Sequence, residues 1–236
     1  MPDIFQDSSR YFHISAFYAL SLPYYHMEHH THSSYEIMYI TSGSCRVFCL
    51  DGTQDTEFPL KSGQFIFIRP DVPHRLEIPD GFPCSILNLE FSLTPEKSPV
   101  ALELLLKKDP GFSRFWNFME ASQGFCSGAD SRSFGYSLKD LLTFLQQNSG
   151  QIQKEEFLFF LLFSRMLTEL AFCARSSRSA QGIVYLKKAL RYIDEHYLED
   201  IDIPDISAYA GINKSYLQAL FTEKNGCTIN TYINRK

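Results

Sequence analysis

The chain has 236 residues, of which 44% are hydrophobic and 15% aromatic, a balance that excludes a disordered or low-complexity protein and leaves room for two domains with cores of their own. Its formal net charge of −5 argues against a nucleic-acid binder that works by general stickiness, while leaving a local basic surface open. Six cysteines, Cys45, Cys49, Cys84, Cys126, Cys173 and Cys227, lack paired metal-finger spacing and read as reduced packing residues.

The start, Met1-Pro2-Asp3-Ile4-Phe5, has no basic and apolar regions of a secretory signal, which predicts a cytoplasmic protein. Residues 11 to 92 then read as strands. Tyr35 to Ile40, Cys45 to Leu50, Gly63 to Arg69 and Ser85 to Phe91 are rich in β-branched and aromatic residues. Thr41-Ser42-Gly43, Asp51-Gly52 and Pro70-Asp71-Val72-Pro73 separate them. Asp51-Gly52 is the firmest of these turns, because both residues tolerate positive φ. Short strands at even spacing predict a sandwich or small barrel, large enough to enclose one small ligand. Tyr39, Phe67 and Arg69 alternate with their strand neighbours, so Tyr39 and Phe67 are expected to line the cavity; a register error of one residue would turn the set outward. Arg69 either pairs with an anionic ligand or sits in solvent, the latter being the expectation.

Chemistry gathers at His30, His32, Glu36 and His74. His30-Thr31-His32, three residues, Glu36, and six more to Gly43 resemble the first motif of the cupin barrels, and Gly63 followed by Pro73-His74 looks like a loose second motif. Tyr24 stands where that first motif has glycine, and the glycine and asparagine positions of the second are not met. The resemblance implies that these four side chains point into a barrel, where three imidazoles and a carboxylate suit iron, manganese, zinc or nickel. The alternative is that they bind a ligand or make framework hydrogen bonds without metal. His26 and His29 fall outside the spacing and read as exposed loop residues.

From Glu96 to Arg178 the period becomes helical. Short helices are expected over Ala101 to Lys107 and Phe112 to Ala121, broken by Pro110-Gly111. Gly124, Gly128 and Ser131 to Ser133 mark a loop, and longer helices follow over Leu138 to Gln147 and Glu155 to Ala174. Phe157 to Phe163 is apolar on every side and so is expected to be buried on every side, against the barrel or in a dimer interface. With Glu155-Glu156 before it and Arg165 and Glu169 after, that run falls short of a membrane span. Ser176 to Gly182 reads as a polar linker.

Ile183 to Tyr197 is an amphipathic helix with Leu186, Leu190 and Ile193 as its stripe, and Ile203 to Gly226 has the form of a helix-turn-helix. Ile203 and Ile206 lead the first helix, Gly211 takes the positive φ of the turn, and small Ser207 lets the second helix cross close. Asn213 is the expected N-cap of that helix, which buries Leu217, Leu220 and Phe221. Lys214, Ser215, Gln218 and Thr222 are left facing a DNA groove, and Asn213 and Tyr216 complete the expected DNA-binding set.

Gly211, Tyr216-Leu217, Phe221, Gly226 and Tyr232 sit at the spacings of the first half of an AraC-type DNA-binding domain, which this quarter of the chain resembles. Ala219 stands where that family often has arginine, and the chain ends at Lys236, where the helix leading to a second helix-turn-helix would begin. From Asn213 onward Lys214, Lys224, Arg235 and Lys236 face only Glu223, while Asp194 to Asp205 is acidic, so a single unit is expected to bind DNA weakly.

The expected fold class is therefore α+β: a cupin-like ligand-sensing barrel over 1–95, a helical linker and dimerisation segment over 96–175, and a partial helix-turn-helix domain over 183–236. The resemblance implies a non-enzymatic transcription regulator that binds a promoter half-site as a homodimer and responds to a small-molecule effector, such as a sugar. No membrane partner is expected, and no cofactor beyond the divalent metal the four side chains could hold. A cupin metalloenzyme using His30, His32, Glu36 and His74 is the alternative; a sensor module with an impaired DNA head is the third.

Overall fold

A computed structural model describes residues 9–51, 54–121, 124–149, 151–197, 199, 201–212 and 214–236, with backbone alone at 51, 54, 121 and 177–184. The Asp51-Gly52 turn and the Asn213 cap lie outside the described residues. The chain divides into two compact units, the first ending at Ser176 and the second running over Ser177–Lys236.

The first unit is built on two antiparallel sheets. One has the order β1 (Tyr11–Leu22), β8 (Cys84–Thr94), β3 (Tyr35–Ser42), β6 (Gln64–Ile68), β9 (Phe125–Ala129). The other has the order β2 (Tyr25–His26), β7 (His74–Ile78), β4 (Ser44–Asp51), β5 (Gln54–Lys61). Side chains of a strand alternate between its faces, and both faces of the five-stranded sheet are covered. Met38, Ile40, Ile66, Ile68 and Ile86 meet Val47, Cys49, Leu60, Leu76 and Ile78 between the sheets. On its other face Tyr35, Ile37, Phe65, Phe67, Leu89 and Phe91 pack against helices. Sheet-to-sheet closure is tight at Gly43, where φ is +75° and an added Cβ would lie 1.9 Å from the Pro83 carbonyl oxygen.

The helices of this unit are α1 (Leu102–Lys108), α2 (Pro110–Ala121), α3 (Phe134–Gln147) and the first part of α4 (Glu156–His196). Pro110 opens α2 rather than breaking it, since a first-turn proline loses no helical hydrogen bond. The Asp109 carboxylate accepts from the Gly111 and Phe112 amides at 2.8 and 3.0 Å. Asp130 does the same for α3, accepting from Phe134 and Gly135 at 3.2 and 2.8 Å.

Three expectations change. Gly124 to Ser133 is not wholly loop: Phe125–Ala129 pairs with β6, Gly128 opposite Phe65, because the free edge of β6 supplies hydrogen-bond partners that local propensity does not see. Ser176 to Gly182 is helical backbone within α4, a segment without proline and holding one glycine. Finally, Phe157–Phe163 is not buried all round. Phe159 and Phe163 are fully buried at the i, i+4 spacing, but Phe157 is 73% exposed and Leu161 47%. The apolar stretch itself runs from Glu156 to Ser176, 21 residues, which by length and composition is enough to cross a membrane; half of it is buried in the first unit's core. There Met166, Leu167 and Leu170 continue the buried stripe.

The second unit contains the end of α4, α5 (Ile203–Ala210), α6 (Lys214–Asn225) and α7 (Ile229–Ile233). Ala189, Ile193, Ile206, Ala210, Leu217, Phe221 and Ile229 form its core.

Candidate functional sites

The first site is where β3 begins. Alternation sends Glu36, Met38 and Ile40 toward the inter-sheet core and Tyr35, Ile37 and Tyr39 toward the helices. The strands facing Glu36 bring the histidines to it. His30 and His74 pair backbone to backbone, 3.0 Å in both directions, and the Asp71 amide donates to the His32 carbonyl at 2.9 Å. The imidazole centroids of His30 and His74 are 4.3 Å apart and those of His32 and His74 5.0 Å. Nε2 of His74 lies 2.8 Å, and Nε2 of His32 3.2 Å, from the same oxygen of Glu36.

Ring protons follow from the partners. Nδ1 of His74 is 2.8 Å from the Val72 carbonyl, which can only accept, so that nitrogen carries a proton. The Ser34 hydroxyl donates to Glu90 at 2.8 Å, and Nδ1 of His32 then has only acceptors beside it, the Ser34 carbonyl at 3.0 Å and the Ser34 hydroxyl oxygen at 2.9 Å. Both rings are thereby held Nδ1-protonated with Nε2 aimed at one carboxylate. His74 Nε2, although close to Glu36, closes no hydrogen bond of normal geometry. Burial pushes the Glu36 carboxyl up, but contacts with His32 and His74 outweigh it and hold the group at about 2. The Glu36 contact raises His32. Burial, followed by the charge of His74, lowers His30.

The structure brings His30, His32, Glu36 and His74 together and does not bring Tyr39 or Phe67 to them. Phe67 lies on the helix side of the sheet, stacked on Tyr35 at 5.9 Å, and the Tyr39 hydroxyl donates to Asp130 at 3.2 Å. An added Cβ on Gly135 would meet the Tyr39 ring at 2.4 Å, so this tyrosine is committed to the start of α3. The two-residue period of the strand is the cause: position 39 points opposite to position 38. Arg69 faces neither the cluster nor open solvent, its side chain being 28% exposed. It donates to the Met119 and Glu120 carbonyls at 3.0 and 3.2 Å, closing the C-terminal end of α2. His26 sits between Glu28 and Glu77, and His29 lies 3.3 Å from Asp55, outside the cluster.

Sequence reasoning missed Glu90, Asn88 and Tyr18, which share the inner face with Glu36. Asn88 pairs with both Met38 and Tyr18 in register, and Glu90 with Glu36 and Ala16. Two polar residues at alternate positions of the apolar run Ile86-Leu87-Asn88-Leu89-Glu90-Phe91 were the available signal.

The second site is the outer face of α6. Asp202 caps α5 by accepting from the Asp205 amide at 2.9 Å, and Gly211 ends it in the left-handed region at φ +77°, with the Gly211 and Ile212 amides returning to the Ser207 carbonyl at 2.9 and 3.1 Å. Leu217, Leu220 and Phe221 are buried while Lys214, Ser215, Gln218, Ala219 and Thr222 are exposed. Tyr216 is half-buried. The basic balance is smaller than the sequence suggested, since Lys224 pairs with Glu223 at 2.8 Å and Lys236 with Asp194.

The family described as AraC-like ligand binding domain matches residues 13–162. The chain is 24% identical over 204 residues to the uncharacterized HTH-type transcriptional regulator YbfI of Bacillus subtilis, covering 86% of this chain and 68% of that protein. It is 35% identical over 51 residues to the regulatory protein PocR of Salmonella typhimurium, 22% of this chain and 17% of that one. Among solved structures, unsaturated fatty acid bound ToxT from Vibrio cholerae aligns over 97% of this chain and 78% of its own at 11% identity, with a TM-score of 0.36. With the match covering well over half of the chain, across both sheets and helices α1 to α3, the chain belongs to the AraC-like ligand binding domain family.

Proposed function

We propose that this protein is a transcription regulator whose barrel binds a small-molecule effector and whose second unit reads a promoter half-site. One observation carries the reading: Lys214, Ser215, Gln218 and Thr222 stand exposed along α6 while the opposite side of that helix forms the core of the unit. A helix presenting short polar side chains and a lysine is suited to base edges and phosphates. The names of the relatives YbfI and PocR agree with it. The test is a mobility-shift assay of the full chain on duplex from its own promoter across a salt series; equal binding to random duplex would overturn the reading. Replacing exposed Ala219 by arginine is expected to tighten duplex binding about fivefold at low salt and steepen the salt dependence by about one counterion.

The exposed apolar side chains of α4, Phe157, Leu158 and Leu161, are the surface we assign to a homodimer. Sedimentation of the Leu161→Asp variant is expected to give monomer where the wild type gives dimer.

The geometry of the cluster favours a bound divalent cation as a second reading of the barrel. Ligand atoms of His30, His32 and His74 lie within 4.8 Å of one another, and both Nδ1–H groups are fixed on backbone carbonyls, the arrangement that orients imidazoles toward a metal. With both rings neutral, two Nε2 lone pairs face one carboxylate oxygen, and a cation held by those imidazoles and Glu36 would remove the conflict. Metal analysis with thermal melts settles it: stoichiometric metal in the wild type, lost in His74→Ala, supports the cation, and melts indifferent to zinc, manganese and chelator exclude it.

A further inference from the structure

Strands β1 and β2 are joined only through Pro23-Tyr24 and edge different sheets, and a cavity of about 90 Å³ lies inside this seam. Its wall is largely apolar, with Leu20, Met27, Met38 and Ile86 among its residues, together with the rings of Tyr18 and Tyr25. One side chain does not fit such a wall. Asn88 lines the cavity, is 0% exposed, and neither Oδ1 nor Nδ2 has a hydrogen-bond partner among the described residues. Tyr18, its register partner on β1, lies beside the amide without closing a hydrogen bond of normal geometry.

Buried polar side chains are satisfied in nearly all folded proteins, so a wholly buried amide with both atoms open and facing a cavity is a group waiting for a ligand. It offers an acceptor and a donor side by side. Only a partner with the reciprocal pair, such as a carboxamide or a neutral carboxylic acid, satisfies both at once. Charge then decides between these. Glu36 and Glu90 lie on the same inner face, and burial together with their charges raises the Tyr18 hydroxyl above its ordinary range. The same field opposes a carboxylate. A sugar fares worse, since an apolar wall leaves most of its hydroxyls unmatched. Size is limited as well: an apolar cavity of roughly 150 Å³ takes benzene, and this one is smaller.

We propose that the barrel binds a small neutral carboxamide with a short apolar body, its amide paired with Asn88 and its body against Met38 and Ile86. The proposal rests on the effector-binding reading of the barrel and narrows the class of ligand. The experiment is calorimetric titration of the full chain with propanamide, propanoate and glucose, propanamide having one non-hydrogen atom fewer than benzene. Saturable propanamide binding is expected, with propanoate at least tenfold weaker and glucose silent. Asn88→Leu, which keeps the branched skeleton with methyls in place of the amide atoms, should weaken propanamide at least tenfold. Should that variant fail to fold, the side-chain amide resonances of Asn88 in ¹⁵N-labelled wild type provide the reading, and they are expected to shift with propanamide. Propanoate or glucose binding as tightly as propanamide, no propanamide binding, or unchanged binding or resonances at Asn88 would overturn it. Promoter binding without ligand is scored separately, so loss of promoter preference with propanamide still bound through Asn88 removes the regulator and leaves the ligand class standing.

Discussion

Glu36→Ala is expected to destabilise the first unit by about 3–5 kcal/mol, the range found when one partner of a buried ionic group is removed. Glu36 is 4% exposed, and the two imidazoles that converge on it have their other nitrogens committed to Ser34 and Val72. They cannot turn away without breaking those bonds, so deletion leaves two polar edges without their partner. Glu36→Gln keeps the volume and can donate to one Nε2, and its cost is expected to stay near 1–3 kcal/mol. Urea unfolding of the full chain, following the transition of the first unit, measures both; equal losses would mean that packing alone, not the carboxylate, holds the site.

The same group sets a pH profile in the metal-free protein. Glu36 falls from an ordinary 4.5 to about 2, so its contribution, about 3 kcal/mol, is complete above 4.5 and is lost as pH drops toward 2. His32 is raised above 6.5, so its contribution is complete below 6.5 and is lost as pH climbs through the raised value. His30 is lowered, which favours its neutral form and works against stability below 6.5. Greatest stability is therefore expected between 4.5 and 6.5, toward the upper end, and in Glu36→Gln the acid limb should flatten.

Period-two patterning made the strands at Tyr35, Cys45, Gly63 and Ser85 legible, and the spacing of His30, His32, Glu36 and His74 foretold a cluster because it counts residues between strand starts. Patterning does not say which face is inside when both faces are apolar. Ile37 and Met38 are equally hydrophobic and both buried, one under helices and the other between sheets, so Tyr39 and Phe67 were assigned to the wrong side. Strand β9 was hidden because its Ser127-Gly128-Ala129 end owes its conformation to the edge of β6. The helix-turn-helix was the opposite case. Gly211 at φ +77°, the exposed Lys214 and Gln218 and the buried Leu217 and Phe221 all follow from local spacing, and local information is what a sequence carries best. The helical backbone across Ser176 to Gly182 shows the limit of that rule: small polar residues without proline suit a linker and a helix alike.

Phe221→Ala is expected to cost 3–5 kcal/mol, the usual range for emptying a phenylalanine site in a core. The side chain is 0% exposed and meets Tyr232 edge to face at 5.3 Å, with Leu217, Ile206 and Ile193 in the same cluster. Phe221 is the largest fully buried side chain among the described residues of this unit, and small domains have little stability to spare, so the loss should exceed what the second unit holds. Its melt should then separate from that of the first unit, whose cores do not include Phe221. Promoter binding should disappear with it. Phe221→Leu, which keeps most of the volume, should cost under about 1.5 kcal/mol and retain binding. Lys214→Ala with Gln218→Ala supplies the complementary case, since both side chains are exposed: binding should fall while the melt stays in place. Promoter binding that survives Phe221→Ala, after the second unit has been shown to be unfolded, would mean that DNA is held somewhere other than α6.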